Sequence, residues 1–538
     1  METSDELAPA GKEQTDKDIN IEQAPVDKLH KNAFGLPSVF FLCIAAIAPA
    51  ASMLFNVPVT ASQAGAATPL VFLLSAIAIL LFGNSITYFA GHLSSAGGFS
   101  TWVRHSLGKM MGFHVGWMML GAYALFETAL QATVGGSLDL NLSSFGLHLP
   151  GGWLTYALLF TLLIGVLAYF DVKISLWVMA PFAMLEVLGL LILDTAITLK
   201  GGTSGHDLLH TLTPAGADLR GIAPGGILGI GIAMAPGILA FIGSETAAVY
   251  GEETRHPKRT LPVAIFSLLI ALGILYVWTS YAATIGVGWQ HAGDILGNVS
   301  NAPQQYLLLA EKYVGGWLGV GLLGLVITSN IASAFAMHHA MTRYFYSMGR
   351  EEILPRLFGK THPKWHSPHL ASTAQSLFTA LILCFLGLII KQDNADGSVR
   401  YALGFADGKI WQQASGIVSF QWLANIVTMC IVLVYIVTNI ALPFFAHSKK
   451  EFNVWRHAVM PGLSTVLLLL PLASFLLPPL PGIGAFFTNL GFAPTPFPLN
   501  ILPFFVLIWF IIGAAYATYL EHVAPERFDK LGRILRLD

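Results

Sequence analysis

Twelve apolar stretches, most of them twenty residues or longer, constrain this chain more than any other feature. They run over residues 36–63, 68–91, 111–136, 152–170, 174–199, 224–250, 262–286, 315–347, 368–390, 414–446, 458–480 and 499–520. A helix rises about 1.5 Å per residue, so some twenty apolar residues cover the roughly 30 Å hydrocarbon layer of a bilayer. In lipid every backbone polar group needs a partner within the protein, and a helix supplies one locally. The expected class is an all-α polytopic membrane protein with twelve transmembrane helices. Composition agrees: of 538 residues, 55% are hydrophobic and only 11% charged, where a soluble chain would carry about a quarter charged. The fourth stretch is short, and the eighth and tenth are long enough to tilt or to run out past the membrane.

The remaining sequence is sparse in signals. Net charge is -2 and no basic patch stands out, so no nucleic-acid partner is expected; the partner surface is the lipid bilayer. The three cysteines, Cys43, Cys384 and Cys430, lie inside apolar stretches and read as small buried hydrophobes rather than disulfides. Residues 1–33 are polar and read as a disordered cytoplasmic tail, with no cleavable signal expected. With the N-terminus inside, 22 of the 28 Lys and Arg fall on the cytoplasmic side. That bias places both termini in the cytoplasm and supports an even number of crossings of a plasma membrane. Residues 521–538 form a second cytoplasmic tail. The sequons Asn141-Leu-Ser and Asn298-Val-Ser fall on the expected outer side.

Two stretches are irregular where hydrocarbon should be. The sixth contains Gly243-Ser244-Glu245, and a carboxylate at membrane depth is costly enough to read as functional. The first contains Ile44-Ala-Ala-Ile-Ala-Pro49-Ala-Ala-Ser52-Met53; a proline there removes a backbone donor and clashes with the preceding turn. Irregular backbone at this depth is tolerated only against protein or a water-filled cavity. The two stretches stand five apart. Broken helices at corresponding places in two halves point to an inverted-repeat transporter with its site at the breaks. Ten helices (34–446) would form the transport core and two more (447–520) would be additional.

Phe241-Ile-Gly-Ser-Glu245, followed by Gly251-Glu-Glu-Thr-Arg-His-Pro-Lys-Arg-Thr-Leu-Pro262, resembles the signature of the amino acid–polyamine–organocation (APC) transporter superfamily. Three other places are similar to it: Ser95-Ala-Gly-Gly-Phe-Ser100, like the re-entrant loop after the second helix; Arg343 to Pro355 with His366-Ser-Pro368, like the loop after the eighth; and Ile44 to Met53, where the family unwinds its first helix. The resemblance covers about residues 34–520 and looks like that of a bacterial amino acid permease. It implies a five-plus-five inverted repeat (LeuT-type) with helices 1 and 6 broken, and alternating access to a central amine site. The chain departs from the family in its Ala-Pro-Ala-Ala-Ser break, in Ser95 where Pro is common, and in Glu186, which occupies a position often held by Lys in proton-coupled members.

The candidate substrate site is the pair of breaks: Ile47, Ala48, Ala51, Ser52 and Met53 from the first, Gly243 and Ser244 from the second, with Tyr123 and Phe241 as walls or gates. Open carbonyls over Ile44–Pro49 would accept from an ammonium; free amides near Ala51–Leu54 and Gly243–Thr246 would donate to a carboxylate. Glu245 is either a proton-sensitive latch or a fixed acceptor tying the unwound segment to a neighbour. Glu186, about 18 Å along its helix, is a proton carrier, a Na⁺ ligand with Ser329 and Ser333, or a neutral acid bonded to a neighbour. Glu127 faces a substrate amine, an outer vestibule, or another helix. Asp194 is expected near the outer interface. His338 and His339 lack the spacing and companions of a metal site; one of them facing the cavity would respond to pH. Glu252, Glu253, Arg255, Lys258 and Arg259 read as an inner-face ion-pair network or helix caps. No phosphate loop, nucleophile elbow or cofactor motif is present, so no enzyme and no cofactor are expected. The expected function is secondary transport of an amino acid or related small amine, driven by H⁺ or exchange. Sodium coupling, polyamine transport and a ligand sensor without flux are the alternatives.

Overall fold

Helices stand on every one of the twelve apolar stretches. The computed structural model describes residues 34–93, 95, 97–143, 146–147, 149–169, 172–217, 227–250, 253–298, 302–389, 392–393, 399–400, 415–476 and 499–531. The proposed tail over 1–33, Gly251, Glu252 and the last seven residues lie outside the described residues. By length and composition, eight helical segments can cross a membrane, the first being the run Leu36–His92; Trp153–Tyr169 and Ile230–Leu239 are shorter apolar helices. Among the described residues the only paired strands are two residues each, Gln392–Asp393 and Val399–Arg400.

The elements that position the site are few. The first stretch divides into α1 (Leu36–Ile47) and α2 (Pro49–Ala64). Next come α3 (Thr68–His92), α4 (Phe99–Leu107) and the 35-residue α5 (Lys109–Ser143). α6 (Trp153–Tyr169) and α7 (Val172–Leu199) follow. The sixth stretch holds α8 (Ile227–Leu239), a turn, and a 3₁₀ segment Ser244–Tyr250. α9 (Pro257–Val287), α10 (Ala302–Tyr313), α11 (Gly316–Arg350), α12 (His369–Ile389) and α13 (Ser415–Ser448) complete the centre. α14 (Met460–Leu476), α15 (Leu502–Val523) and a short α16 (Pro525–Lys530) close the chain.

Burial separates two surfaces. α1, α2, α5, α11 and α13 bury nearly all of their inward faces in one continuous core. Rows of large apolar side chains stay exposed on α6 (Leu162, Leu163, Val166) and α15 (Ile508, Ile511, Ile512). Faces this apolar suit lipid and would be a liability in water.

α15 is fixed along α5 by a reciprocal tie. Trp117 Nε1 donates to the Trp509 carbonyl and Trp509 Nε1 donates to the Trp117 carbonyl, both at 3.0 Å, with the rings stacked 4.5 Å apart. A Cβ at Gly121 or Gly513 would strike the opposing indole, at 2.5 and 2.4 Å. α16 folds back: the Asp529 carbonyl accepts from Arg104 and its carboxylate from Lys109. This first part of the stretch from residue 521 packs against the helices, with Phe528 fully buried.

Candidate functional site

The first break is one residue wide. Ala48 adopts the left-handed region, φ 55° and ψ 72°, at a cost of roughly 1–2 kcal/mol for a residue with a Cβ. Pro49 then opens α2 at the first helical position, where its missing N–H costs nothing. The proline therefore begins a new helix rather than kinking an old one. Ala48 N–H closes α1 onto the Ile44 carbonyl at 2.9 Å, and Ser52 Oγ donates to the Ile47 carbonyl at 2.6 Å.

The second break is in contact with the first. α8 ends at Leu239, and Gly243 takes φ 114°, a backbone conformation essentially confined to glycine. A Cβ built there would lie 2.9 Å from the Ala46 carbonyl carbon and 3.0 Å from the Ile47 nitrogen. Only glycine lets this turn approach the last turn of α1 so closely.

Two carboxylates serve these breaks. Glu186, 1% exposed on α7, accepts from the Ala50 amide at 3.3 Å and from Ser329 Oγ at 2.6 Å. It therefore caps the N-terminus of α2, where the helix dipole favours negative charge. Ser329 Oγ also faces the Ala51 amide at 3.4 Å, and one turn along α11 Ser333 Oγ donates to the Ala46 carbonyl. Glu245, fully buried, accepts from its own segment's Gly243 amide at 2.9 Å and from the Tyr123 hydroxyl at 3.0 Å. Tyr435 of α13 reaches the same carboxylate. Glu245 thus ties the second break to α5 and α13.

These contacts correct the expectation of open backbone groups. The Ile44, Ala46 and Ile47 carbonyls are all engaged, as are the Ala50, Ala51, Ser52, Gly243, Ser244 and Thr246 amides. The reason is desolvation: an unpaired backbone group at this depth costs several kcal/mol, so side chains from α7 and α11 cover it.

A narrow cavity opens beside the first break, with room for roughly one or two water molecules. Ile47, Ala48, Ala51, Ser52 and Ser333 line it. Met53, Tyr123, Phe241, Gly243 and Ser244 are buried but do not line it. Phe241 instead packs on the Tyr276 ring at 5.0 Å. Sequence reasoning missed Phe55 and Asn56 on α2, Phe126 and Leu130 on α5, Leu239 on α8, and Asn330 and Phe420. The signal was present: Ala48, Ala51, Ser52, Phe55 and Asn56 repeat at three and four residues, so they form one stripe of a helix.

Two expectations change in detail, those for the histidines and Asp194, while Glu127 meets other helices, one of its three expected roles. It binds His338 Nδ1 at 2.9 Å, Gln131 Nε2 at 2.8 Å and Gln375 Nε2 at 2.7 Å, joining α5, α11 and α12. Its neighbour Phe126 takes the cavity face, and one residue further round a helix points about 100° away. His338 also meets Ser372 Oγ at 2.7 Å, while His339 turns aside against Phe335. Neither histidine lines the cavity. Asp194 does not reach the interface: it is 1% exposed and accepts from Thr279 Oγ1 on α9 at 2.5 Å.

At the end of the molecule where α1 begins, Arg343 supplies an ion pair that sequence analysis had not joined. Its Nε lies 2.7 Å from Glu253, its guanidinium sits over the Tyr250 ring at 4.3 Å, and it is 1% exposed. The Phe34 backbone pairs with this loop: its N–H donates to the Glu253 carbonyl and its carbonyl accepts from Arg255.

Lipid-suited outer faces, a buried core and two broken helices meeting in its middle define a multi-pass membrane protein of transporter type. The chain belongs to the amino acid permease family, whose pattern it matches over residues 38–524, within the APC superfamily. It is 26% identical over 351 residues to a branched-chain amino acid permease of Bacillus subtilis, covering 62% of this chain and 70% of that one. It is 26% identical to the histidine permease of Lactococcus lactis, covering 61% and 67%. Against human cationic amino acid transporter 4 it is 25% identical, covering 60% of this chain and 51% of the human one.

Proposed function

We propose that the chain is a secondary active transporter of amino acids or related small amines, working by alternating access across a plasma membrane. In this reading it crosses twelve times with both termini cytoplasmic. The first ten crossings, over residues 34–446, form the five-plus-five inverted repeat, and α14 and α15 are additional. The observation that carries the proposal is the close approach of Gly243, in the second break, to Ala46 and Ile47, the last turn of α1 just before the Ala48 break, in a buried core. The names of the relatives, permeases and transporters of amino acids, supply the substrate class.

Coupling falls to Glu186. It is the acid bonded to the break itself, through Ala50 and Ser329. Loss or gain of a proton there changes the capping of α2 and so the hold of α7 and α11 on the first break. Substrate backbone groups would compete for the donors and acceptors that now pair internally. Glu245, tied to Tyr123, holds the second break in register with α5. A Na⁺-coupled reading has its own support: the Glu186 carboxylate, Ser329 and Ser333 hydroxyls and Ala46 carbonyl form a set of oxygens of the hard type such a cation takes.

The test is uptake of a labelled amino acid mixture into proteoliposomes, inside-alkaline against no gradient, for wild type and Glu186→Gln. Accumulation that needs the gradient and is lost in the variant supports H⁺ coupling through Glu186. Accumulation that follows Na⁺ instead assigns Glu186 to an ion site. Counterflow only after preloading means exchange. Binding without flux under every condition sinks the transporter reading and leaves a sensor.

A further inference from the structure

The cavity beside Ala48 is walled by uncharged groups. Phe55, Phe126, Leu130, Leu239 and Phe420 contribute its apolar surface from α2, α5, α13 and the end of α8. Among the described residues no Asp, Glu, Lys, Arg or His lines it. The acids nearest in sequence or contact are all turned elsewhere: Glu186 to the Ala50 amide, Glu245 to Gly243 and Tyr123, Glu127 to His338.

Two carboxamides interrupt the apolar wall. Asn330 is 2% exposed; its Nδ2 donates to the Val326 carbonyl at 2.9 Å, and its Oδ1 takes no hydrogen bond among the described residues. Asn56 is 4% exposed, and its side chain makes none among the described residues. Asn330 Oδ1 and the Asn56 carboxamide therefore keep unused hydrogen-bonding capacity at the cavity wall, open to a polar group entering it, such as an amino acid's own ammonium or carboxylate.

We infer that this cavity selects neutral amino acids with apolar side chains and rejects cationic and anionic ones. The inference rests on the proposed transport function and adds its substrate class. A Lys or Arg side chain entering here would give up water with no charged group in the cavity lining to pair with, a large penalty for a buried ion. An apolar side chain would meet rings and aliphatic groups on several sides. Narrow as the cavity is, separation of α2 from α5 and α13 would expose the same lining to a larger guest. Asn56 and Asn330 are specificity-determining residues in this account because they keep the polar contacts uncharged.

The experiment uses the full chain in proteoliposomes, with counterflow of labelled leucine, lysine and glutamate measured separately and each tested as competitor. Leucine should exchange. Lysine and glutamate should compete at least about tenfold more weakly, the scale on which small pocket contacts discriminate. Asn56→Asp and Asn330→Asp, which install a carboxylate with almost no change of shape, should each strengthen lysine competition about tenfold and weaken leucine. Lysine or glutamate exchange as good as leucine's in the wild type overturns the inference while leaving the transport function standing. So do Asp variants that stay monodisperse with unchanged lysine exclusion. If either variant misfolds, the wild-type competition series decides alone. Counterflow of no amino acid at all would sink both the inference and the function under it.

Discussion

Gly243→Ala is the sharpest single perturbation of the joined breaks. Two costs add. At φ 114° a residue with a Cβ is strained, by about 1–3 kcal/mol. The new methyl would also press on backbone at 2.9–3.1 Å from Ala46 and Ile47, where no flexible side-chain tip can yield, a further cost of about 1–3 kcal/mol. The two breaks would therefore be forced apart, or the protein would lose roughly 2–6 kcal/mol. Either outcome lowers the thermal midpoint of the purified protein by several degrees and abolishes or severely reduces uptake. Gly324→Ala is the control: it lies on the exposed side of α11 with nothing within 4 Å of its Cβ position. In a helix interior that change should be neutral or gain up to about 1 kcal/mol. Thermal melts by intrinsic fluorescence, paired with uptake, read both variants. A Gly243→Ala protein that melts and transports like Gly324→Ala would refute the claim that the breaks must touch.

Three further outcomes are expected from the same contacts. Arg343→Ala leaves the buried Glu253 without its cation and Tyr250 without its lid, and should cost about 3–5 kcal/mol. Adding Glu253→Gln should restore much of it, and strictly additive thermal shifts would contradict the pairing. His338→Leu strips a partner from both Glu127 and Ser372 and should destabilise by about 1–3 kcal/mol. His339→Leu should be nearly silent, since His339 Nε2 has no hydrogen-bond partner among the described residues; the reverse order in melting temperatures would overturn this assignment. Tyr123→Phe removes a donor from the fully buried Glu245 and should reduce uptake and cost about 1–3 kcal/mol, and an unchanged protein would mean that Tyr435 alone suffices.

Much of this architecture is legible in the chain because hydrocarbon imposes a simple rule on length and polarity. The helices, the two irregular stretches and the burial of two acids, Glu186 and Glu245, come from that rule. Facing and long-range pairing were beyond the reach of sequence. The Ala50 and Ala51 amides looked free because their partners, Glu186 and Ser329, lie 136 and 278 residues away. Glu127 and Phe126 are neighbours in sequence, yet one binds His338 and the other lines the cavity. Asp194 looked superficial by its position along α7, but Thr279 on α9 gives it a buried partner. Pro49 drew attention to the right place for the wrong reason: the left-handed turn is at Ala48, and proline is the residue suited to open α2. Asn56 and Asn330 were readable in principle, as helical stripes with Ser52 and Ser333, had the stripe been traced past the break.

The paired tryptophans Trp117 and Trp509 have a practical consequence. Sliding α15 along α5 by one residue, about 1.5 Å, would unpair two indole N–H groups in an apolar layer and push each ring into the opposite glycine's space. The two helices must therefore travel as one rigid unit. Ile511 sits on the outer face of α15, 54% exposed and absent from the cavity lining. A spin label or fluorophore attached there becomes a remote gauge of α5, reporting any displacement of Tyr123 and Phe126 without touching the cavity lining.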